Sequence, residues 1–190
     1  MSVAKWVKDI MLPLDDYAIV PEDASMVDAY IAFEEAQKKL PPGLEPSRAL
    51  LVVDKNEKII GKVGQLAFLK ALEPKYDKVG DLNVLSRAGL TPDFINSMMK
   101  NMQLWQESFF DISQRARDTQ VKDIMHPVTE SIDEDASLGE AIHKIIMYQT
   151  LSLLVTRGSR IVGILRISDL FNEIGQQLKT CSTKDTEIAD

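Results

Sequence analysis

Few side chains in this sequence are placed to do chemistry. Its one cysteine, Cys181, lies in the polar stretch Lys179-Thr180-Cys181-Ser182-Thr183-Lys184-Asp185 with no histidine beside it, so nothing nearby activates a thiolate. His126 and His143 stand singly, and one Cys with two His cannot build a Cys/His zinc cluster. His126 reads as a loop residue and His143 as a solvent-facing helix residue. The acidic groups Asp15-Asp16 and Glu130 with Asp133-Glu134-Asp135 read as solvated charge. There is no Walker loop, Gly-x-Ser-x-Gly elbow, His-Glu-x-x-His or kinase signature, so no catalytic residue and no metal ligand is assigned. What remains is Arg166-Ile167-Ser168-Asp169. Ser168 reads as the N-cap of a closing helix and Asp169 as an acid in its first turn. There the helix dipole favours a carboxylate, and free N–H groups can meet an anion.

The chain that must position these residues has 190 residues, 45% of them hydrophobic and 27% charged, enough for one domain or two small ones with a buried core. Its formal charge of −7 and pI near 4.9 repel phosphate backbones and anionic lipid, which excludes a general nucleic-acid or membrane-surface binder. The longest apolar run, Ala49–Val53, falls far short of the roughly 20 residues of a membrane helix. The opening segment Met1–Asp9 has no apolar stretch suited to a secretory signal, and the lone cysteine fits a reducing compartment. A cytoplasmic location is expected.

The sequence repeats itself. Val7-Lys8-Asp9-Ile10-Met11 recurs as Val121-Lys122-Asp123-Ile124-Met125 at an offset of 114, Glu22-Asp23-Ala24-Ser25 as Glu134-Asp135-Ala136-Ser137 at 112, and Leu51-Val52-Val53 with Ile59-Ile60-Gly61 as Leu153-Leu154-Val155 with Ile161-Val162-Gly163 at 102. Three blocks in order exceed coincidence. The first copy therefore carries ten extra residues around Lys39–Pro46, a loop marked by its prolines and glycine. Each copy opens with a short extended segment (Ala18–Val20; Thr129–Ile132). A serine cap follows (Ser25; Ser137), with an acid three residues on (Asp28; Glu140) as in a capping box. Helical stripes come next: Met26, Ala29/Tyr30, Phe33, Ala36, and Leu138, Ala141/Ile142, Ile145, Tyr148. Two β-rich runs around a polar turn (Ala49–Val53 and Ile59–Val63; Leu151–Val155 and Arg160–Leu165) lead to closing helices near Gln65–Leu72 and Asp169–Leu178. The fold class is α+β: two β-α-β-β-α repeats packed through their sheets with a helical segment between them. The boundaries are 5–72 and 121–178 for the repeats, 73–120 for the insert and 179–190 for a disordered tail.

With its Asp-Ile-Met opening and its close Gly163-Ile164-Leu165-Arg166-Ile167-Ser168-Asp169-Leu170, this unit resembles the cystathionine-β-synthase-type (CBS) domain. Two in tandem resemble a Bateman module. The resemblance implies a regulatory module, not an enzyme, with no required cofactor. Its regulatory ligand is an adenosine-containing molecule such as AMP, ADP, ATP or S-adenosylmethionine, and its assembly is a homodimer. Carried over residue by residue, the ribose and phosphate positions of the second copy fall on Ile164, Arg166, Ser168 and Asp169, with Asp169 accepting from the ribose hydroxyls. Arg166 replaces the usual Thr or Ser, and either offers a guanidinium to a phosphate or obstructs the site. The matching first-copy positions are Lys62, Gly64, Leu66 and Ala67; Ala67 cannot hold a ribose, so one site is expected, in the cleft between the repeats. The family geometry implies an adenine near Asp9–Met11, Tyr17–Ile19 and Ser47–Arg48, with Ala18 and Ile19 at the base edge. The ten-residue insertion then reads either as a lid or as a longer surface loop. The alternative function is a ligand-free dimerising scaffold or protein-interaction module.

Between the repeats, Thr91-Pro92-Asp93 opens a helix. From there Ile95, Met98, Met102, Trp105, Phe109, Ile112 and Ala116 keep heptad spacing, which predicts one amphipathic helix over 92–117. It either packs on its own module or serves a partner, across a dimer or on an effector protein.

Overall fold

The computed structural model describes residues 5–40, 42–75, 87, 89–102 and 108–186, with side chains to Lys179. It has mixed α/β architecture, and its eight named strands form two four-stranded sheets. The strands are β1 (Leu12–Pro13), β2 (Ile19–Pro21), β3 (Ala49–Val53), β4 (Ile59–Gly64), β5 (His126–Pro127), β6 (Ser131–Asp133), β7 (Ser152–Arg157) and β8 (Arg160–Arg166). The α-helices are α1 (Met26–Lys39), α2 (Gln65–Leu72), α3 (Pro92–Asn101), α4 (Phe109–Asp118), α5 (Leu138–Tyr148) and α6 (Ile167–Thr186).

The chain divides into two compact units that do not coincide with the sequence repeats. Unit 1 holds residues 1–17, 36–47 and 128–190, and unit 2 holds 18–35 and 48–127. In unit 1 the sheet order is β1-β8-β7-β6. Its hairpin β7–β8 and parallel strand β6 come from the second repeat, while the edge strand β1, antiparallel to β8 with Leu12 opposite Ile164, comes from the first. Unit 2 mirrors this with β2-β3-β4-β5: here β5, from the second repeat, lies antiparallel to β4 with Lys62 opposite His126. The repeated Asp-Ile-Met-x-Pro segment of each copy thus completes the sheet of the other.

That exchange explains a glycine in each copy. A Cβ on Gly163 would stand 2.6 Å from the Leu12 carbonyl oxygen, and one on Gly61 2.6 Å from Met125 Sδ and 3.1 Å from the His126 carbonyl oxygen. Only glycine lets the incoming segment lie this close.

Sequence signals account for most helix starts. Ser25 and Asp28 form the expected reciprocal cap, Asp28 N–H donating to Ser25 Oγ (3.1 Å) and Ser25 N–H to Asp28 Oδ2 (3.2 Å). The Ser25 hydroxyl, donating to Asp28 Oδ2 (2.7 Å), and then the Ser25 N–H hold the Asp28 carboxyl below its usual range. Ser137 Oγ accepts the Glu140 N–H (3.1 Å). In unit 1 the stripe of α5 buries Ala141 and Ile145 with Val7, Ile132, Leu153, Val155, Leu165 and Leu170, whereas Tyr148, like Tyr30 on α1, ends up more than half exposed. In unit 2, Val20, Met26, Ala29, Leu51, Val52, Val63 and Val121 are buried.

Two expectations are corrected. The predicted single helix over 92–117 is two helices, because Ser108 adopts extended backbone and starts α4 with its own cap, its Oγ accepting the Asp111 N–H (3.3 Å). Trp105 lies outside the described residues. The closing helix of the second repeat continues past Leu178 to Thr186, into the segment read as a disordered tail; residues 187–190 are outside the described set.

Candidate functional site

β8 delivers Ile164 and Arg166 to one face of the unit 1 sheet while the alternate residue, Leu165, enters the hydrophobic core. The strand then passes directly into α6, whose first residue is Ile167. Ser168 is therefore inside the first turn and not its N-cap, a correction of two residues, and Asp169 is a first-turn acid as expected. Ile164, Arg166 and Asp169 are 1%, 5% and 9% exposed.

The geometry around Asp169 is set by Arg166. Arg166 Nε donates to Asp169 Oδ2 and Nη2 to Oδ1, both at 2.6 Å, so both carboxylate oxygens are engaged by one guanidinium edge. The remaining edge reaches the loop before β3: Nη1 donates to the Glu45 carbonyl oxygen (2.7 Å) and to Ser47 Oγ (3.1 Å). A fork of this kind suits Arg and not Lys, since only a planar guanidinium presents parallel donors to a carboxylate. Buried Tyr17 lies in the same field. Its phenol is pushed up to about 12, chiefly by burial; the Arg166 charge opposes the shift and that of Asp169 adds to it.

An open groove of about 850 Å³ adjoins the pair. Asp9–Pro13 form one side, Gly43–Glu45 of the first repeat's insertion another, and Phe171, Asn172, Gly175 and Gln176 of α6 a third. Arg166 and Asp169 sit on its wall with Glu173, whose carboxyl is held below its usual range by the Lys5 ammonium 2.7 Å away.

Of the residues singled out in the sequence, the structure brings together Arg166, Asp169 and Ser47 by direct bonds, with Asp9–Met11 on the groove that Arg166 and Asp169 line. Ala18, Ile19 and Arg48 belong to unit 2. There the Ala18 carbonyl accepts the Leu51 N–H (2.9 Å) and the Arg48 carbonyl accepts the Gln65 N–H (3.0 Å), an interaction repeated in unit 1 as Ile167 N–H to the Leu151 carbonyl (3.0 Å). Sequence reasoning missed the Glu45 carbonyl, Tyr17 as a buried phenol, and the Lys5–Glu173 pair. The Arg166–Asp169 pair itself was readable: opposite charges three residues apart at a helix start are within reach of each other. Of the acidic residues read as solvated charge, Asp135 is exposed and pairs with Lys8 (2.6 Å), whereas Glu134 is corrected: it is 8% exposed and pairs with Arg157 (2.8 Å from Nη2). His126 and His143 are both exposed.

Comparison with known proteins agrees with this architecture. Among solved structures the fold is similar to CBSX2 in complex with AMP (TM-score 0.54, 19% identity, covering 92% of this chain and 98% of that one). It is also similar to a putative acetoin utilization protein, AcuB, from Vibrio cholerae (TM-score 0.57, 21% identity, 96% and 98%). A third likeness is the CBS domain of a bacterial CNNM/CorC family Mg2+ transporter in complex with ATP (TM-score 0.56, 12% identity, 90% and 87%). Curated proteins give no match. The family model for the CBS domain matches residues 7–74 and 121–176, the two stretches whose exchanged edge strands build the paired sheets, and the chain belongs to the CBS domain family.

Proposed function

We propose that this protein is a non-catalytic regulatory module that senses an adenosine-containing ligand, AMP, ADP, ATP or S-adenosylmethionine, through Asp169, with Ile164, Arg166, Ser168 and Ser47 contributing to the ligand's surroundings. The observation that carries this reading is the place of Asp169: a buried carboxylate in the first turn of α6 on the wall of a groove large enough for a nucleotide. It is supported by the AMP and ATP held by two structurally similar CBS proteins. The first repeat has Ala67 at the matching position, so this reading has one site. Signalling then requires that the ligand favour one conformation over another; equal binding to both shifts nothing. The protein works in the cytosol and as a homodimer, an assembly favoured by the exposed apolar side chains Ile146, Met147, Leu151 and Phe171. Phe109 and Phe110, 87% and 72% exposed on α4, make that helix the surface for an effector protein.

The test is calorimetry and thermal unfolding with AMP, ADP, ATP and S-adenosylmethionine on the wild type and on Asp169→Ala. A ligand at 100 times its Kd adds about 2.7 kcal/mol, which raises Tm by roughly 5–10 °C in a chain of this size; the variant loses the shift. A second reading, a ligand-free scaffold, is favoured by one specific observation: Arg166 already pairs with both Asp169 oxygens. Absence of any Tm shift at millimolar ligand selects the scaffold. Sedimentation checks the dimer, which has twice the chain mass of 21.3 kDa.

A further inference from the structure

Resting on the sensor reading, we infer that the Arg166–Asp169 pair is a partner-exchange filter: it admits adenosine ligands that carry a phosphate and excludes uncharged nucleosides and sulfonium-type adenosines. Both Asp169 oxygens are held by the Nε/Nη2 edge of Arg166 at 2.6 Å, and the two side chains are only 7% and 6% exposed. Each Asp169 oxygen keeps a second lone pair, but with the carboxylate only 7% exposed behind the guanidinium a ribose diol reaches it by displacing Arg166. The guanidinium would then be left buried without its anion, a state far costlier than the pair itself.

A ligand that brings its own anion removes this obstacle. Its phosphate replaces the carboxylate on the Nε/Nη2 edge, for which two parallel N–H donors are matched to two oxygens. The Nη1 edge stays on the Glu45 carbonyl and Ser47 hydroxyl, so the guanidinium keeps its anchor while the other edge changes partner. No bond is made or broken; one ion pair becomes a charge-assisted diol contact and a second ion pair. Asp9, Asp16 and Glu45 line the same groove and outnumber Lys179, the further cation on its lining, so each further negative charge on the ligand adds net repulsion. One phosphate group is therefore preferred to three. The first repeat carries Gly64 and Ala67 at the positions of Arg166 and Asp169, so it has no such filter.

Calorimetric titration with adenosine, AMP, ATP and S-adenosylmethionine, on the wild type and on Arg166→Thr, tests this. In the wild type AMP binds about tenfold or more tighter than adenosine or S-adenosylmethionine, and tighter than ATP. In Arg166→Thr adenosine binding strengthens, and AMP and adenosine come within about threefold of each other, because no guanidinium waits for an anion. The wild-type comparison stands alone should the variant fold poorly. Equal wild-type affinities for adenosine and AMP, or discrimination that survives in Arg166→Thr, overturns the filter while leaving the sensor reading intact. If neither protein binds any of the four compounds, the sensor reading itself fails, and the filter with it.

Discussion

At the scale of single residues, the buried charges of unit 1 tie the site to stability. Asp169→Asn leaves the Arg166 guanidinium, 5% exposed, without its counter-charge. The expected loss is about 3–5 kcal/mol, the usual cost of breaking a buried pair from one side. Replacing both partners, as in Arg166→Met with Asp169→Leu, costs far less, because no charge is then stranded. Urea unfolding of the two single variants and the double variant, without ligand, measures the coupling; additive losses would show that the pair is not coupled. Tyr17 gives a second check. Its phenol is pushed up to about 12, largely by burial, so the folded state retains this proton where the unfolded chain, with a phenol near 10.0, releases it. The stability that results is present below pH 10 and is lost as pH rises towards 12. Ultraviolet titration of phenolate should show one of the four tyrosines ionising late, and Tyr17→Phe should remove that late step.

At the scale of elements, the matched glycines carry the sharpest consequence of strand exchange. Gly163→Ala drives a methyl to 2.6 Å from the Leu12 carbonyl oxygen, backbone that cannot yield without moving β1, and should destabilise by about 1–3 kcal/mol. Gly61→Ala meets first the flexible thioether of Met125 and only then, at 3.1 Å, the His126 carbonyl, so its loss should fall at the low end of that range. Thermal unfolding ranks the two, and the reverse order would refute this account. The elements themselves were legible because their signals are local: Ser25 with Asp28 and Ser137 with Glu140 fixed two helix starts, and β-rich runs around a polar turn marked both hairpins. The 92–117 stripe misled because heptad spacing says which face is apolar, not whether the backbone continues; Ser108, a cap residue inside the pattern, was the overlooked signal. The site was legible as residue types, and less so as bonds. Asp169 and Arg166 stand out by motif and Ser47 by the geometry the family resemblance implies, but the Glu45 carbonyl is backbone and carries no side-chain signature.

At the scale of the whole molecule, each repeat depends on the other copy's opening segment. In unit 1, Val7 is fully buried, and its N–H donates to the Ala136 carbonyl (3.0 Å) while that of Lys8 donates to the Glu134 carbonyl (2.9 Å). In unit 2 the equivalent residues do the same, Val121 N–H to the Ala24 carbonyl (2.9 Å) and Lys122 N–H to the Glu22 carbonyl (3.1 Å). A repeat excised at its sequence boundaries would therefore keep a segment it does not use and lose one it needs. Deleting residues 1–13 should leave the sheet of the first repeat intact and weaken that of the second, which loses β1, the Lys5–Glu173 pair and the Val7 side chain. Burial of Val7 alone contributes about 1.5–3 kcal/mol. Amide hydrogen exchange reads the outcome by segment: protection should fall in β7, β8 and α5 while β3 and β4 exchange as in the full chain. Loss concentrated in β3 and β4, the hairpin nearer to the deletion in sequence, would mean that the opening segment serves its own repeat and that the exchanged sheets are not the working unit of this protein.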